Sequence, residues 1–273
     1  STGNAADFGD ATVGFADGAG TSGSTKGLFA IMYAGGSLVT TIDQITISTT
    51  GNATDFGDAS YTKQFGSQFG SSTRGCVGGA EGPSQGAPKY QSYDTIDFIT
   101  FASTGNASDF GNQTQITQVC AGFGSPTRGV RSGGYDGAGG GSVETNTMDF
   151  VTIASEGNAT DFGDMTLARR SHGSCSSSTR GLNAGGFTGS TNTNSIDFVT
   201  IASTGNATDF GDVGTSGQGV RGASSQTTAT FIKSKAIDFV TIATTGNSLD
   251  FGNLSANSSD AFMTNSNAHG GVQ

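Results

Sequence analysis

Two sets of aspartates recur along the 273-residue chain. Asp43, Asp97, Asp149, Asp197 and Asp238 each follow Ile or Met, and Asp7, Asp55, Asp109, Asp161, Asp209 and Asp250 each precede Phe. Carboxylates at fixed spacing could serve as acid/base pairs, or hold calcium with Asn52, Asp55 and Asp58 as one triplet of oxygen donors. A residue present in every repeat more often serves the repeat. Here that means capping turn N–H groups or pairing with Lys26, Arg74, Arg128 and Arg180, so no metal site and no cofactor is expected. His172 and His269 occupy different repeat positions, and no Ser-His-Asp or Cys-His spacing recurs, which argues against an enzyme. Gly137-Ala138-Gly139-Gly140-Gly141 lacks the following helix that phosphate binding needs and reads as a flexible loop.

Cys76, Cys120 and Cys175 are an odd count without a close pair, so neither a disulfide framework nor a zinc site is expected. Cys120 and Cys175 fall near the same place in successive repeats and read as small buried strand residues. Asn52, Asn106, Asn158 and Asn206 lie in Asn-x-Ser/Thr sequons, but their place in a turn accounts for them without glycosylation.

The elements that position these residues come from a repeat. A Gly-Asn pair recurs at Gly3, Gly51, Gly105, Gly157, Gly205 and Gly246, with spacings of 48, 54, 52, 48 and 41. Periods of about 40–50 residues mark propellers and other repeat arrays. Ile196-Asp197-Phe198-Val199-Thr200-Ile201-Ala202 is rich in residues that suit a pleated surface. Gly205-Asn206 then supplies positive φ for a hairpin turn into a strand ending at Phe210. Apolar residues on both sides of the pleat require both faces to be covered, as in blades stacked around an axis. Adding a small-residue strand before Ser178-Thr179-Arg180-Gly181 and another closing at Gly185-Gly186 gives four antiparallel strands per repeat.

The expected fold is therefore all-β: a six-bladed propeller of four-stranded antiparallel blades in a single domain, 1–273. Blades are expected near 10–58, 59–112, 113–164, 165–212 and 213–253, with the last formed by 254–273 plus 1–9. N- and C-terminal segments sharing that blade would close the ring and remove open sheet edges. No segment of the sequence supplies the third strand of that blade. The chain opens at Ser1-Thr2-Gly3-Asn4, midway through a repeat, so a longer or processed polypeptide is expected.

Residues that do not repeat point to function. The connections between second and third strands differ in every repeat and open on one propeller face. The two longest carry Glu81, Lys89, Tyr90, Tyr93, Tyr135 and Asp136, the candidate ligand-binding residues. Aromatics beside polar groups, on loops held by a rigid scaffold, suit recognition of a glycan or a protein. A net charge of −10 argues against a nucleic-acid partner and against an anionic membrane surface.

The Gly-Gly doublets at Gly35, Gly78, Gly133, Gly185 and Gly270, with the aliphatic-Asp strand and the following aromatic, resemble the kelch repeat. Phe8, Phe56, Phe110, Phe162, Phe210 and Phe251 stand where kelch repeats more often carry Trp. The fifth repeat has no doublet, and Ala229-Thr230-Phe231-Ile232 runs through Lys233-Ser234-Lys235 into the next strand. The wording Thr-Ile-Ala-Ser-Thr-Gly-Asn-Ala-Thr-Asp-Phe-Gly-Asp, together with Ser-Ser-Thr-Arg-Gly, resembles repeats of tail-associated structural proteins of marine cyanobacterial phages. That resemblance implies a non-enzymatic virion-surface or extracellular module for adhesion or assembly. Its partners would be other virion proteins, repeated copies of itself, or a host-surface glycan. A lectin-like propeller is the alternative, and a polysaccharide-acting enzyme the third reading.

Overall fold

A computed structural model describes residues 7–62, 66–83, 90–136 and 143–254, which hold β-strands and no helix. Blade 1 contains β1 (Phe15–Ser22), β2 (Lys26–Ala34), the short β3 (Ser37–Leu38), β4 (Thr41–Thr46) and β5 (Thr54–Asp58). Blade 2 contains β6 (Ser67–Gly70), β7 (Arg74–Pro83), β8 (Tyr90–Thr100) and β9 (Ser108–Asn112). Blade 3 runs β10 (Ala121–Gly124), β11 (Arg128–Ser132), the added hairpin β12 (Tyr135–Asp136) and β13 (Val143–Glu144), then β14 (Thr147–Thr152) and β15 (Thr160–Asp164). Blade 4 is β16 (Gly173–Ser176), β17 (Arg180–Ala184), β18 (Ser195–Thr200) and β19 (Thr208–Asp212). Blade 5 is β20 (Arg221–Ser224), β21 (Thr228–Lys233), β22 (Ala236–Thr241) and β23 (Leu249–Asn253).

The four main strands of each blade pair in chain order, and the innermost strands β1, β6, β10, β16 and β20 are consecutive neighbours. That is a propeller of four-stranded antiparallel blades. Five blades are described rather than the expected six. Most of the segment assigned to the sixth, 255–273 with 1–6, lies outside the described residues, as do His269 and the stretch 137–142.

Both faces of the third strands are buried, as their sequence requires. Ile196 packs with Cys175, Leu182 and Phe210 against Val240 and Ile242 of blade 5. Val199 and Ile201 pack the other way, against Phe123, Val130, Met148 and Phe162 of blade 3. In all five blades the ladder between third and outer strands shifts register at the aliphatic-Asp step, for example between Ile196 and Asp197. Ile196 pairs Gly211 and Asp197 pairs Asp209, which leaves Phe210 as the extra residue of a bulge. Its ring turns inward onto Phe198, edge to face at 5.9 Å.

The Gly-Asn pair does not make the hairpin turn that local preference predicts. Gly205 has φ of 155°, while the positive-φ residues other than glycine are Val119, Ser171 and Ser234 among those described. Gly-Asn instead joins blades. Gly205 N–H donates to Phe162 O at 2.7 Å and Ala207 N–H to Asp164 O at 2.7 Å, while Asn206 Oδ1 accepts from Asp164 N–H at 3.0 Å. The same three bonds link Asn106 to Asp58 and Asn52 to Asp10. Gly163 lies so close to Gly205 O that a Cβ there would clash with the backbone, which is why Asp-Phe is followed by Gly. The Phe8-to-Asp10 segment therefore clamps blade 1 as an outer strand clamps the blade after it.

The repeated charges divide their work differently from the expected pairing. The third-strand aspartates cap the preceding connection: Thr166 N–H donates to Asp197 Oδ2 at 3.0 Å, and Thr114 and Ser60 do likewise to Asp149 and Asp97. The repeated arginines do not pair with them. Arg74, Arg128 and Arg180 lie over Phe98, Phe150 and Phe198 at 4.5, 4.6 and 4.6 Å. Each also donates to a carbonyl of the next blade, Ile153, Ile201 and Ile242 respectively.

Size matching completes the joints. Phe123 of β10 lies directly over Gly181 of blade 4, and Phe69 of β6 over Gly129 of blade 3, where any Cβ would overlap the ring. At the next joint the two sides are closer in size: Cys175 shares its cluster with Ala229. Gly181→Ala is expected to destabilise the chain by about 1–3 kcal/mol through overpacking. Adding Phe123→Cys should return part of that loss in a double-mutant cycle of urea unfolding. Additive losses would contradict the size match.

Candidate functional site

The connections between second and third strands and those leading into each innermost strand share one face. There Arg170, just before β16, stacks on Tyr135 of β12 at 4.6 Å and on Phe187 at 5.2 Å. Its guanidinium pairs with Glu144 of β13 at 3.1 Å. Backbone bonds between Arg170 and Phe187, and between Gln118 and Tyr135, hold the stack to blades 3 and 4. Burial, then the nearby Glu81 carboxylate, raises the Tyr135 phenol above its ordinary value, so it remains a hydrogen-bond donor at neutral pH.

The structure thus brings together Glu81 and Tyr135 from the candidate set. Asp136 lies beside them in β12, exposed. Tyr93 does something else: it packs on Tyr61 of the connection into blade 2, with ring centroids 5.1 Å apart. Tyr90 pairs with Pro83 through the backbone at the end of a long β7–β8 hairpin, and Lys89 lies outside the described residues. Sequence reading missed Arg170 and Phe187. Arg170 stands beside the turn-like Ser171-His172-Gly173, and its stacking partners come from other connections.

Beneath this surface lies a buried polar layer. Arg131 donates through Nε and Nη2 to both oxygens of Asp149, at 3.1 and 2.9 Å, and Arg169 pairs with Asp197 at 2.9 Å. His172 Nε2–H donates to Ser132 Oγ at 3.1 Å, and that hydroxyl donates to Asn183 Oδ1 at 2.8 Å. Asp149 on two nitrogens offsets the desolvation of Arg131 and keeps it cationic. Burial, then the charges of Arg169 and Arg131, pushes His172 well below its ordinary value.

The Ser132–His172 contact is not a nucleophile and base. The hydroxyl proton is committed to Asn183, both groups are buried, and two guanidiniums oppose any positive charge on the imidazole.

The cysteines differ from one another. Cys175 on β16 is a buried strand residue as expected; Cys76 on β7 is buried as well, and burial pushes its thiol up to about 12. Cys120 precedes β10, out of register with Cys175, and its thiol donates to Gly79 O at 3.3 Å. Two of the three donors suggested for calcium are already engaged: Asn52 Oδ1 accepts from Asp10 N–H at 3.0 Å, and Asp58 Oδ1 from Thr40 Oγ1 at 2.8 Å. Among the described residues no group of three His, Cys, Asp or Glu is placed to hold a metal.

The chain is a β-propeller. The solved structure of YjhT aligns with it at a TM-score of 0.78 and 9% sequence identity, covering 94% of this chain and 88% of that one. At that identity the likeness concerns the fold alone. No family model and no curated protein matches the chain.

His172 generates a pH prediction. An unfolded histidine titrates near about 6.5, so the unfolded chain binds a proton that the folded chain refuses. This stability is fully present above that pH and is lost as pH falls below it. Urea midpoints should drop between pH 7 and pH 5 in the native chain and fall less in His172→Gln. Parallel profiles would contradict the buried neutral imidazole.

Proposed function

We propose that this propeller is a non-catalytic binding module that makes an adhesion or assembly contact through its loop-bearing face, centred on Tyr135, Glu81, Glu144 and Arg170. What carries the reading is convergence. Tyr135 and Glu144 of the blade 3 connection meet Arg170 and Phe187 of blade 4, and Glu81 of the blade 2 connection acts on the same Tyr135 phenol. The scaffold beneath is fixed by buried ion pairs, so binding costs little reordering there. The resemblance of the repeat wording to cyanobacterial phage tail proteins supports a virion-surface setting, with virion proteins, further copies of the chain or a host glycan as partners.

A lectin-like role is the second reading. A partly buried phenol flanked by carboxylates and a guanidinium offers both donors and acceptors to a polyol. A glycan array with the native chain and with Tyr135→Ala and Arg170→Ala separates the two. Saccharide binding lost on either substitution selects the lectin. No saccharide binding, with retained capture of a purified virion component that both substitutions weaken at least tenfold, selects assembly. Binding of either kind that ignores both substitutions would overturn this face as the site.

The finer fold proposal is a six-position ring whose last blade is shared by N- and C-terminal segments. Its support is the clamp of Phe8 and Asp10 on Gly51 and Ala53, both bonds at 2.8 Å.

A further inference from the structure

Four consecutive residues tie the contact face to the buried layer beneath it. Arg169 is fully buried and held by Asp197, Ser195 O and Asn183 O, whereas the next side chain, Arg170, stacks on Tyr135 and Phe187 at the surface. Ser171 follows with φ of 54°, a left-handed conformation that costs a residue other than glycine. Its N–H donates to Val119 O at 3.2 Å and its carbonyl accepts from Gly219 N–H at 2.8 Å. His172 then returns to the interior, 4% exposed.

The imidazole has one partner and two opponents. Nε2–H donates to Ser132 Oγ, while Nδ1 has no hydrogen-bond partner among the described residues. The cations that act on the ring are Arg169 of its own connection and Arg131 of β11. Asp197 of β18 and Asp149 of β14 are already paired with those two guanidiniums. Nor has the ring room to turn. A Cβ on Gly133 would lie 2.9 Å from His172 Cε1, and one on Gly186 would lie 3.0 Å from His172 Cβ, so glycines of both blades press on this side chain.

A proton taken up at Nδ1 therefore puts a third positive charge beside two guanidiniums and creates an N–H with no acceptor. The charge is relieved when the segment swings out into water. Four backbone bonds resist that move: two between Arg170 and Phe187, and one each from Ser171 to Val119 and Gly219. Buried Arg169 on one side and the β16–β17 ladder on the other confine it, and the left-handed Ser171 favours it.

We propose that residues 170–172 are an acid-released latch: one proton at His172 Nδ1 frees the segment and carries Arg170 away from Tyr135, Phe187 and Glu144, dismantling the contact face. Its value as a control rests on the reading of that face as the binding site. Linkage gives the sign. The closed form holds only the neutral ring, whereas the open form holds either and titrates at about 6.5. The closed form is thus fully favoured above that pH, and the ratio of closed to open falls about tenfold per pH unit below it.

The test follows Arg170 in the full chain by NMR between about pH 7.5 and pH 4. Stacked on two rings, its side-chain protons carry ring-current shifts. These should be lost in a one-proton transition below about pH 6.5, while amide resonances of β18 and β22 keep their positions. In His172→Gln, which keeps a donor for Ser132 and takes up no proton, the shifts should persist over the same range. His172→Val, copying Val220 at the matching place in blade 5, supplies the same readout where Gln does not fold. Glu144 acts on Arg170 in every one of these proteins, so the difference between them reports the imidazole. Shifts that survive until the whole chain unfolds, or that are lost alike with and without His172, would overturn the latch. Capture that ignores Tyr135→Ala and Arg170→Ala removes the binding face and leaves the local opening standing. Capture that needs both residues, beside Arg170 shifts indifferent to His172, removes the latch alone.

Discussion

The backbone clamp between consecutive blades is the constraint on which the rest depends. A chain with 46 glycines loses much conformational entropy on folding and has few large side chains to offset it. The Asp-Phe-Gly segment places two carbonyls and one N–H where the next blade's Gly-Asn can meet them. Each bond contributes on the order of 1 kcal/mol, and the clamp recurs at every described joint. Glycine is required on the outer-strand side, where a Cβ on Gly163 would overlap the Gly205 backbone, while around Gly205 itself the space is open. The feature that makes the composition look disordered is thus what lets the blades approach.

Side chains then make each joint distinct. At two joints Phe lies over Gly, and at another Cys packs with Ala, so each interface is filled by a different pair. Arginines add a stack and a carbonyl bond at the rim. In blade 5 the position of Arg180 is taken by Thr228, so the outgoing face of that blade lacks the cation at the same joint where Phe251 is uncovered. Blades 3 and 4 are the opposite extreme. The buried Arg131–Asp149 pair ties the second strand of blade 3 to its third, and the Arg169–Asp197 pair ties the entrance of the innermost strand of blade 4 to its third. Such pairs add little net stability over an apolar core, but they leave few alternative arrangements.

Much of the architecture was legible because the third strand carries its own proof: apolar residues on both sides of the pleat admit few environments. Strand order and the fully buried Ile196 and Val199 followed from that. The role of Gly205-Asn206 did not, because a residue pair favoured in hairpins is equally suited to a close backbone approach from a distant strand. The aspartates were rightly assigned to capping, but their expected arginine partners were wrong. Arg128 and Arg180 gain more from an aromatic face and a carbonyl than from carboxylates already held by Thr114 and Thr166. Of the candidate site, Tyr135 and Glu81 were legible as unrepeated polar and aromatic loop residues. Arg170 was not, since its meaning comes from Tyr135 and Phe187, which lie far from it in sequence or across a turn.

The clamp can be read directly by amide hydrogen exchange at Gly105, Gly157, Gly205 and Gly246. These residues are exposed and lie outside regular strands, yet each N–H donates to a carbonyl of the preceding blade at 2.7–2.8 Å. Protection close to that of the core amides of β17 and β18 is expected, together with its loss at Gly205 alone when Asn206→Ala weakens one joint. Exchange at these glycines as fast as in an unstructured peptide would contradict the claim that backbone clamping holds the blades together.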